Sequence, residues 1–279
     1  MLFCALNAVK GMVIKMKKIN NIHLKGLKTD PEVNLDMALD MLHEIIKNNA
    51  MNRKTVFIVP VGPTGQYPIL ASVVNKLNIS LKNVWFFNMD EYMSTPTEAI
   101  SPTHFLSFRK RMNDEFYSLV RPDLVMPENQ RLFPEPGKEA DYDALLESLG
   151  GADVCYGGVG INGHIAFNEA AEPSDAISAE EFSNLGSRVL PISHETIAIN
   201  GAAYLKGDIA AMPKWCITIG MKQILASKRI YLSLGAPWHP GILKRILSKE
   251  PQPQIPATLL KNHPNVLFCT NESIADSID

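Results

Sequence analysis

The chain has 279 residues, enough for one large α/β domain or two small ones, and its 46% hydrophobic and 20% charged content is that of a globular protein with a substantial core. A net charge of −2 and a pI near 6.4 give no basic footprint for nucleic acid, and no stretch approaches the roughly 18 apolar residues of a membrane span. The four cysteines (Cys4, Cys155, Cys216 and Cys269) are far apart, lack C-x-x-C pairing and metal-ligand spacing, and fit a reducing cytoplasm.

In chain order, the opening "MLFCALNAVKGMVIKMKK" has an apolar run with its lysines after it, the reverse of a signal peptide. Residues 1–30 are therefore expected to be an N-terminal extension, with Met16 as an alternative start, and 31–279 a single domain. "TVFIVPV" (55–61) reads as a buried strand followed by the helix "PILASVVNKLN", and "NVWFFNM" (83–89) as a strand followed by a helical pattern over 102–120. "DYDALLESLG" is a helix, "ADVCYGGVG" a strand and "SHETIAINGAAYL" a helix. "RIYLSLG" (229–235) and "NVLFCT" (265–270) are two more strands, separated by the helix-like "PGILKRILSK". Near-continuous apolar strands alternating with helices predict an α/β fold with a doubly wound, mostly parallel sheet. The polar, small-residue segment 170–188 reads as a lid over a site or as a long surface connection.

Ligands of such sheets bind beyond the carboxyl ends of the strands, where three segments converge here: "GPTGQYP", "DEYMS" and "INGHIAFNE". In the last, Gly157, Gly158 and Gly160 allow a tight turn and close approach to a ligand. Asn162, His164 and Glu169 then share one small volume if the loop curls back, which suits an imidazole that gives and takes protons. Asp90 and Glu91 follow an apolar strand, where a desolvated carboxylate becomes a usable base, although aspartate there reads equally as a helix N-cap. "GPTGQYP" places backbone N–H groups at a helix start that can hold an anion, yet it matches neither a Walker loop nor a dinucleotide fingerprint.

"FNMDEY" (87–92) and "GGVGINGHIAFNE" (157–169), in this order, resemble the glucosamine-6-phosphate deaminase family, with weaker agreement in "FIVPVGPTG", "SHETIAING", "MPKWCITIGM" and "HPNVLFC". The related 6-phosphogluconolactonases share the G-x-G-x-x-G-H portion but continue with Ser-Leu-Phe. The resemblance implies a modified Rossmann-like fold and ring opening of a 2-amino-2-deoxyaldose phosphate. Aldose–ketose isomerisation and release of ammonia then follow, with no metal or other cofactor. It assigns the general base to Asp90 and the ring-opening acid/base to His164, assisted by Asn162 and Glu169. It further implies substrate contacts from Pro63, Thr64, Gly65, Gln66, Tyr67, Glu91, Gly158, Gly160, Gly163 and Trp238. The partner it implies is a small-molecule sugar, with no nucleic acid or membrane partner, and relatives that are monomers or hexamers leave a homo-oligomer open.

The phosphate end departs from the family. Gln66 and Tyr67 replace the glycine and hydroxyl residue of the usual loop, Trp238 aligns with a family lysine, and Ala202 with a family arginine. Lys206, Lys214, Lys222, Arg188 and His239 are the residues that could compensate, and otherwise Tyr67 and Trp238 would form an aromatic wall for an uncharged sugar end. Ala170 and the absence of a serine pair argue against the allosteric site of some relatives. Three functions follow: an amino-sugar deaminase/isomerase, an isomerase or deaminase on a differently substituted or unphosphorylated sugar, and a non-catalytic sugar-binding regulator.

Overall fold

The computed structural model describes residues 15–278, so Cys4 and the signal-peptide test at residues 1–14 lie outside the described residues. Twelve strands are described: β1 Lys15–Ile19, β2 Ile22–Leu27, β3 Thr55–Val59, β4 Val84–Asn88, β5 Asp90–Thr95, β6 Glu98–Ala99, β7 Arg131–Leu132, β8 Val154–Gly158, β9 Arg188–Pro191, β10 Trp215–Thr218, β11 Ile230–Leu234 and β12 Val266–Asn271. Eight form one sheet in the order β1-β2-β12-β11-β8-β3-β4-β7, parallel throughout except for the β1–β2 edge hairpin.

Every residue of β3, "TVFIV", is buried, because helices cover both faces of the sheet. Alternation along the strand sends Val56 and Ile58 into one core and Phe57 and Val59 into the other. The first core packs against α4 (Glu139–Ser148) and α8 (His239–Ser248), the second against α1 (Asp30–Ala50) and α2 (Gln66–Leu77). The remaining helices are α3 Phe108–Met112, α5 Ala179–Ser183, α6 His194–Tyr204, α7 Met221–Leu225 and α9 Glu272–Asp276. The doubly wound α/β fold is thus as expected.

Three expectations need correction. The boundary at residue 30 cuts through structure: β2 pairs in parallel with β12, and Thr29 caps the start of α1. The alternating "IHLKGL" buries one face against the core, while lysine-rich β1 is the outermost strand of the sheet among the described residues. Helix α1, the longest in the chain, was not anticipated at all. Within 102–120 the helix begins only at Phe108, capped by Ser107, and the preceding residues turn.

A second, antiparallel sheet of four strands, β6-β5-β10-β9, was also not anticipated. The chain steps from β4 in the large sheet to β5 in the small one through Met89 alone, whose N–H donates to Val59 O while its carbonyl accepts from Ile219 N. Asp90 therefore stands at the join between the two sheets. No helix among the described residues is long and apolar enough to cross a membrane.

Candidate active site

A cavity of about 420 Å³ opens at the carboxyl ends of β3, β4, β8 and β11, where the strand order reverses direction between β3 and β8. Its walls are residues 60–63 after β3, Met89 and Asp90 after β4, residues 158–161 at the end of β8, and Ser233, Gly235, Ala236, Trp238 and His239 at the end of β11. Helix α6 adds Ile199, Asn200, Ala203 and Tyr204, and the first turn of α1 adds Asp30.

Close approach of loops explains two glycines. A Cβ on Gly158 would stand 3.1 Å from Pro63 Cδ, so the loops after β3 and β8 meet there. A Cβ on Gly160 would stand 2.0 Å from His164 Nε2, within the space that the imidazole fills.

His164 is held by a network whose polarity can be worked out. Asn162 Nδ2 donates to Glu169 Oε2 at 2.8 Å and to Ser193 Oγ at 3.2 Å, which turns Asn162 Oδ1 toward His164 Nδ1 at 2.9 Å. Glu169 Oε2 lies 3.2 Å from the same nitrogen, so Nδ1 faces two acceptors and must carry the proton. The Nε2 lone pair is left free. Burial alone would raise the Glu169 carboxyl. The charge of His164 and hydrogen bonds from His164, Asn162 and Thr196 outweigh it and bring the pKa down to about 2. Glu169 therefore stays an anion beside the imidazole.

Ser193 and Thr196 extend this network and were missed from the sequence. Ser193 caps α6, its Oγ accepting from Thr196 N, and Thr196 Oγ1 donates to Glu169 Oε2 at 3.1 Å. The helix that walls the cavity is thereby tied to the imidazole network. The S-x-x-T spacing of "SHET" carried that signal, as a helix cap.

Asp90 and Glu91 point to opposite faces of β5 and do different work. The Asp90 carboxylate lines the cavity and accepts no hydrogen bond from the described residues. Burial first, and the neighbouring Glu91 charge second, push its pKa well above the usual carboxylate range. Glu91 instead accepts from the backbone N–H groups of Tyr92, Phe108 and Arg109 and from Ser107 Oγ, and so anchors the start of α3. Substrate contact by Glu91 is corrected: strand alternation turns it away from the cavity.

The structure thus brings together Asp90, His164, Pro63, Gly158, Gly160 and Trp238 as lining residues, with Asn162 and Glu169 directly behind His164. Thr64, Gly65, Gln66, Tyr67 and Gly163 do not line the cavity. Tyr67 is fully buried against Phe116, its hydroxyl donating to Pro60 O, and Gln66 Nε2 donates to Pro63 O at 2.9 Å. These two residues brace the 60–63 loop from behind, which rules out Tyr67 as an aromatic wall. Gly65 lies against Asn34, and Gly163, at φ +90°, turns the backbone beneath Ile255. Ala202 is exposed and off the cavity, and its neighbour Ala203 lines it.

Segment 170–188 does not cover the cavity. Its helix α5 carries a capping box between Ser178 and Glu181, and Phe182 is buried in the main core. Of the candidate compensating residues His239 alone lines the cavity: Arg188 donates to Asn168 Oδ1 and Gly186 O, Lys222 pairs with Glu147, and Lys206 and Lys214 are exposed elsewhere. Among the described residues no group of three His, Cys, Asp or Glu side chains is placed to hold a metal ion. Cys155, Cys216 and Cys269 are free and buried.

Fold and site together define a doubly wound α/β protein with an acid–base pocket at its topological switch point. No family model matches the chain. Glucosamine-6-phosphate deaminase 2 of Giardia intestinalis is 30% identical over 246 residues, 85% of this chain and 86% of that protein. The glucosamine-6-phosphate deaminase of a Staphylococcus aureus strain is 28% identical over 80% of this chain and 84% of that one. The chain belongs to the glucosamine-6-phosphate deaminase family. Among solved structures, a monomeric glucosamine-6-phosphate deaminase superimposes with a TM-score of 0.76 at 24% identity, covering 91% of this chain and 99% of that one. A 6-phosphogluconolactonase from Thermotoga maritima superimposes with a TM-score of 0.63 at 15% identity, covering 90% and 99%, and shares the fold.

Proposed function

We propose that the protein is an amino-sugar deaminase and isomerase. It opens the ring of a 2-amino-2-deoxyaldose, moves a proton from C2 to C1, and releases the amino group as ammonia. Named relatives deaminate glucosamine 6-phosphate, and the residues here suit the same reaction type. The observation that carries the reading is the pairing, in one cavity, of an unbonded carboxylate with an imidazole whose Nδ1 proton is tied down.

In this reading the free Nε2 of His164 takes the proton of the anomeric hydroxyl and returns it to the ring oxygen, which opens the ring. Asn162 and Glu169 hold the ring tautomer and stabilise the imidazolium between the two transfers. Asp90 then removes the C2 proton. Its desolvated carboxylate is a stronger base than an exposed one, and it needs no competing hydrogen bond broken. Delivery of that proton to C1 converts the enolamine to a C2 imine, and addition of water with loss of ammonia leaves the ketose. Buried thiols fit a reducing cytoplasm as the setting.

The test is ammonia release from a panel of 2-amino-2-deoxyaldoses and their 6-phosphates, with Asp90→Asn and His164→Gln compared. The reading expects release from at least one of them and a loss of at least about 100-fold in the Asp90 variant. Aldose–ketose interconversion of glucose or its 6-phosphate, with no ammonia from any amino sugar of the panel, would replace it with a simple isomerase.

A further inference from the structure

We infer that the end of the cavity lined by Asp30, Trp238, Tyr204 and His239 is a hydroxyl site, and that the substrate is an amino sugar without a phosphate on its distal carbon. This rests on the deaminase reading and specifies its substrate class. Four observations on the cavity wall converge.

First, none of the described residues that line the cavity is a lysine or an arginine. Arg111, which lies over the Tyr204 ring, is paired with Glu115. Second, the one imidazole at this end cannot supply the missing charge. His239 Nδ1 accepts from Ala236 N at 2.7 Å, and its Nε2 lies 2.8 Å from Val159 O, to which it must donate. Both nitrogens are committed, and a second proton would point into the Ala236 N–H. Burial also lowers the pKa of this ring.

Third, the loop that would cradle a phosphate offers little to it. Of its four cavity-lining residues, Pro60 and Pro63 have no N–H, which leaves Val61 and Gly62. The side chains of Gln66 and Tyr67 are spent on the Pro63 and Pro60 carbonyls behind the loop. Fourth, an anion already lines this end. Asp30 lies close beside Gly235, where a Cβ would come within 3.1 Å of Asp30 Oδ1. Its position is fixed from behind: Asn271 Oδ1 caps α9 by accepting from Ile274 N, which directs Asn271 Nδ2 onto Asp30 Oδ1 at 2.7 Å. Asp30 Oδ2 remains as an acceptor. Among the described residues a phosphate here would meet a carboxylate and no cation, whereas a sugar hydroxyl would find an acceptor in Asp30 and a donor in the buried, unpartnered Trp238 Nε1.

The experiment compares kcat/KM for glucosamine, galactosamine and mannosamine with that for their 6-phosphates, by ammonia release. The inference expects at least a tenfold preference for the free sugar in the best pair. It also expects Asp30→Asn to raise KM for the free sugar with kcat nearly unchanged, and Asp30→Asn with Trp238→Lys to shift the preference toward the ester. A preference of the native protein for any 6-phosphate overturns the inference and leaves the deaminase reading standing. Ammonia from none of the six sinks the deaminase reading. The substrate end is then decided by titration calorimetry with fructose and fructose 6-phosphate: tighter binding of fructose supports the hydroxyl site, and tighter binding of the ester, or of neither, overturns it.

Discussion

Replacing Gly160 by alanine places a methyl group where the His164 ring now stands. The new Cβ would lie 2.0 Å from Cε1 and Nε2 and 2.5 Å from Cδ2, while ordinary contact begins at 3.4 Å. The ring would have to retreat from 2.0 to 3.4 Å, a shift of about 1.4 Å in a close-packed wall. It could not then keep Nδ1 at 2.9 Å from Asn162 and 3.2 Å from Glu169 with Nε2 presented as before. Loss of one charge-assisted bond costs about 1.5–3 kcal/mol, and a misplacement of about 1 Å costs on the order of 100-fold in rate. We expect kcat/KM for ammonia release to fall about 100-fold. Gly160 does not occupy the left-handed region, so the variant should fold, with its melting temperature within a few degrees of the native value. Gly241→Ala, whose Cβ meets nothing within 4 Å, is the control and should leave the rate unchanged. Native activity in a folded Gly160→Ala protein would refute the placement of His164 in the reaction.

Asp90 must be ionised to act as a base, so activity falls as pH drops through its raised pKa; the acid limb of kcat/KM should lie well above the ordinary aspartate value of about 4, and a limb at or below it would contradict the role. Glu169, with its pKa brought from 4.5 down to about 2, contributes stability that is fully present above 4.5 and lost as pH falls through 2. Denaturant unfolding should therefore show Glu169→Gln less stable than the native protein above pH 4.5, with the difference shrinking as pH falls toward 2. Tyr67→Phe leaves the Pro60 carbonyl unpaired in the core and should cost about 1–3 kcal/mol of stability with kcat/KM within about threefold of native; a large change in KM at native stability would return Tyr67 to the cavity.

The sheet was legible because fully buried parallel strands are written as unbroken apolar runs, and the gathering of segments at their carboxyl ends follows from that arrangement. The small sheet was not. Its strand β5 opens with the polar "DE", and the pairing of Asp90 with Thr218 joins residues distant in sequence. Within the site, the histidine segment could be read because glycine spacing and reactive side chains lie in one loop. Glu91 could not, since one step along a strand reverses the face, and neither the strand nor its direction was recognised there. Tyr67 was misplaced because a helix's first turn has an inner and an outer side that only packing against Phe116 and the loop decides. Asp30 carried no signal at all: it reaches the cavity because β2 pairs with β12 and β12 with β11, which sets the start of α1 beside Gly235.

Exchange of the C2 proton with solvent deuterium, followed by NMR alongside ammonia release, tests the central claim most directly. The account predicts that the native protein incorporates deuterium and releases ammonia from the same amino sugar, and that Asp90→Asn does neither. Undiminished ammonia release by Asp90→Asn, or an amino sugar bound by the native protein without any exchange, would contradict it.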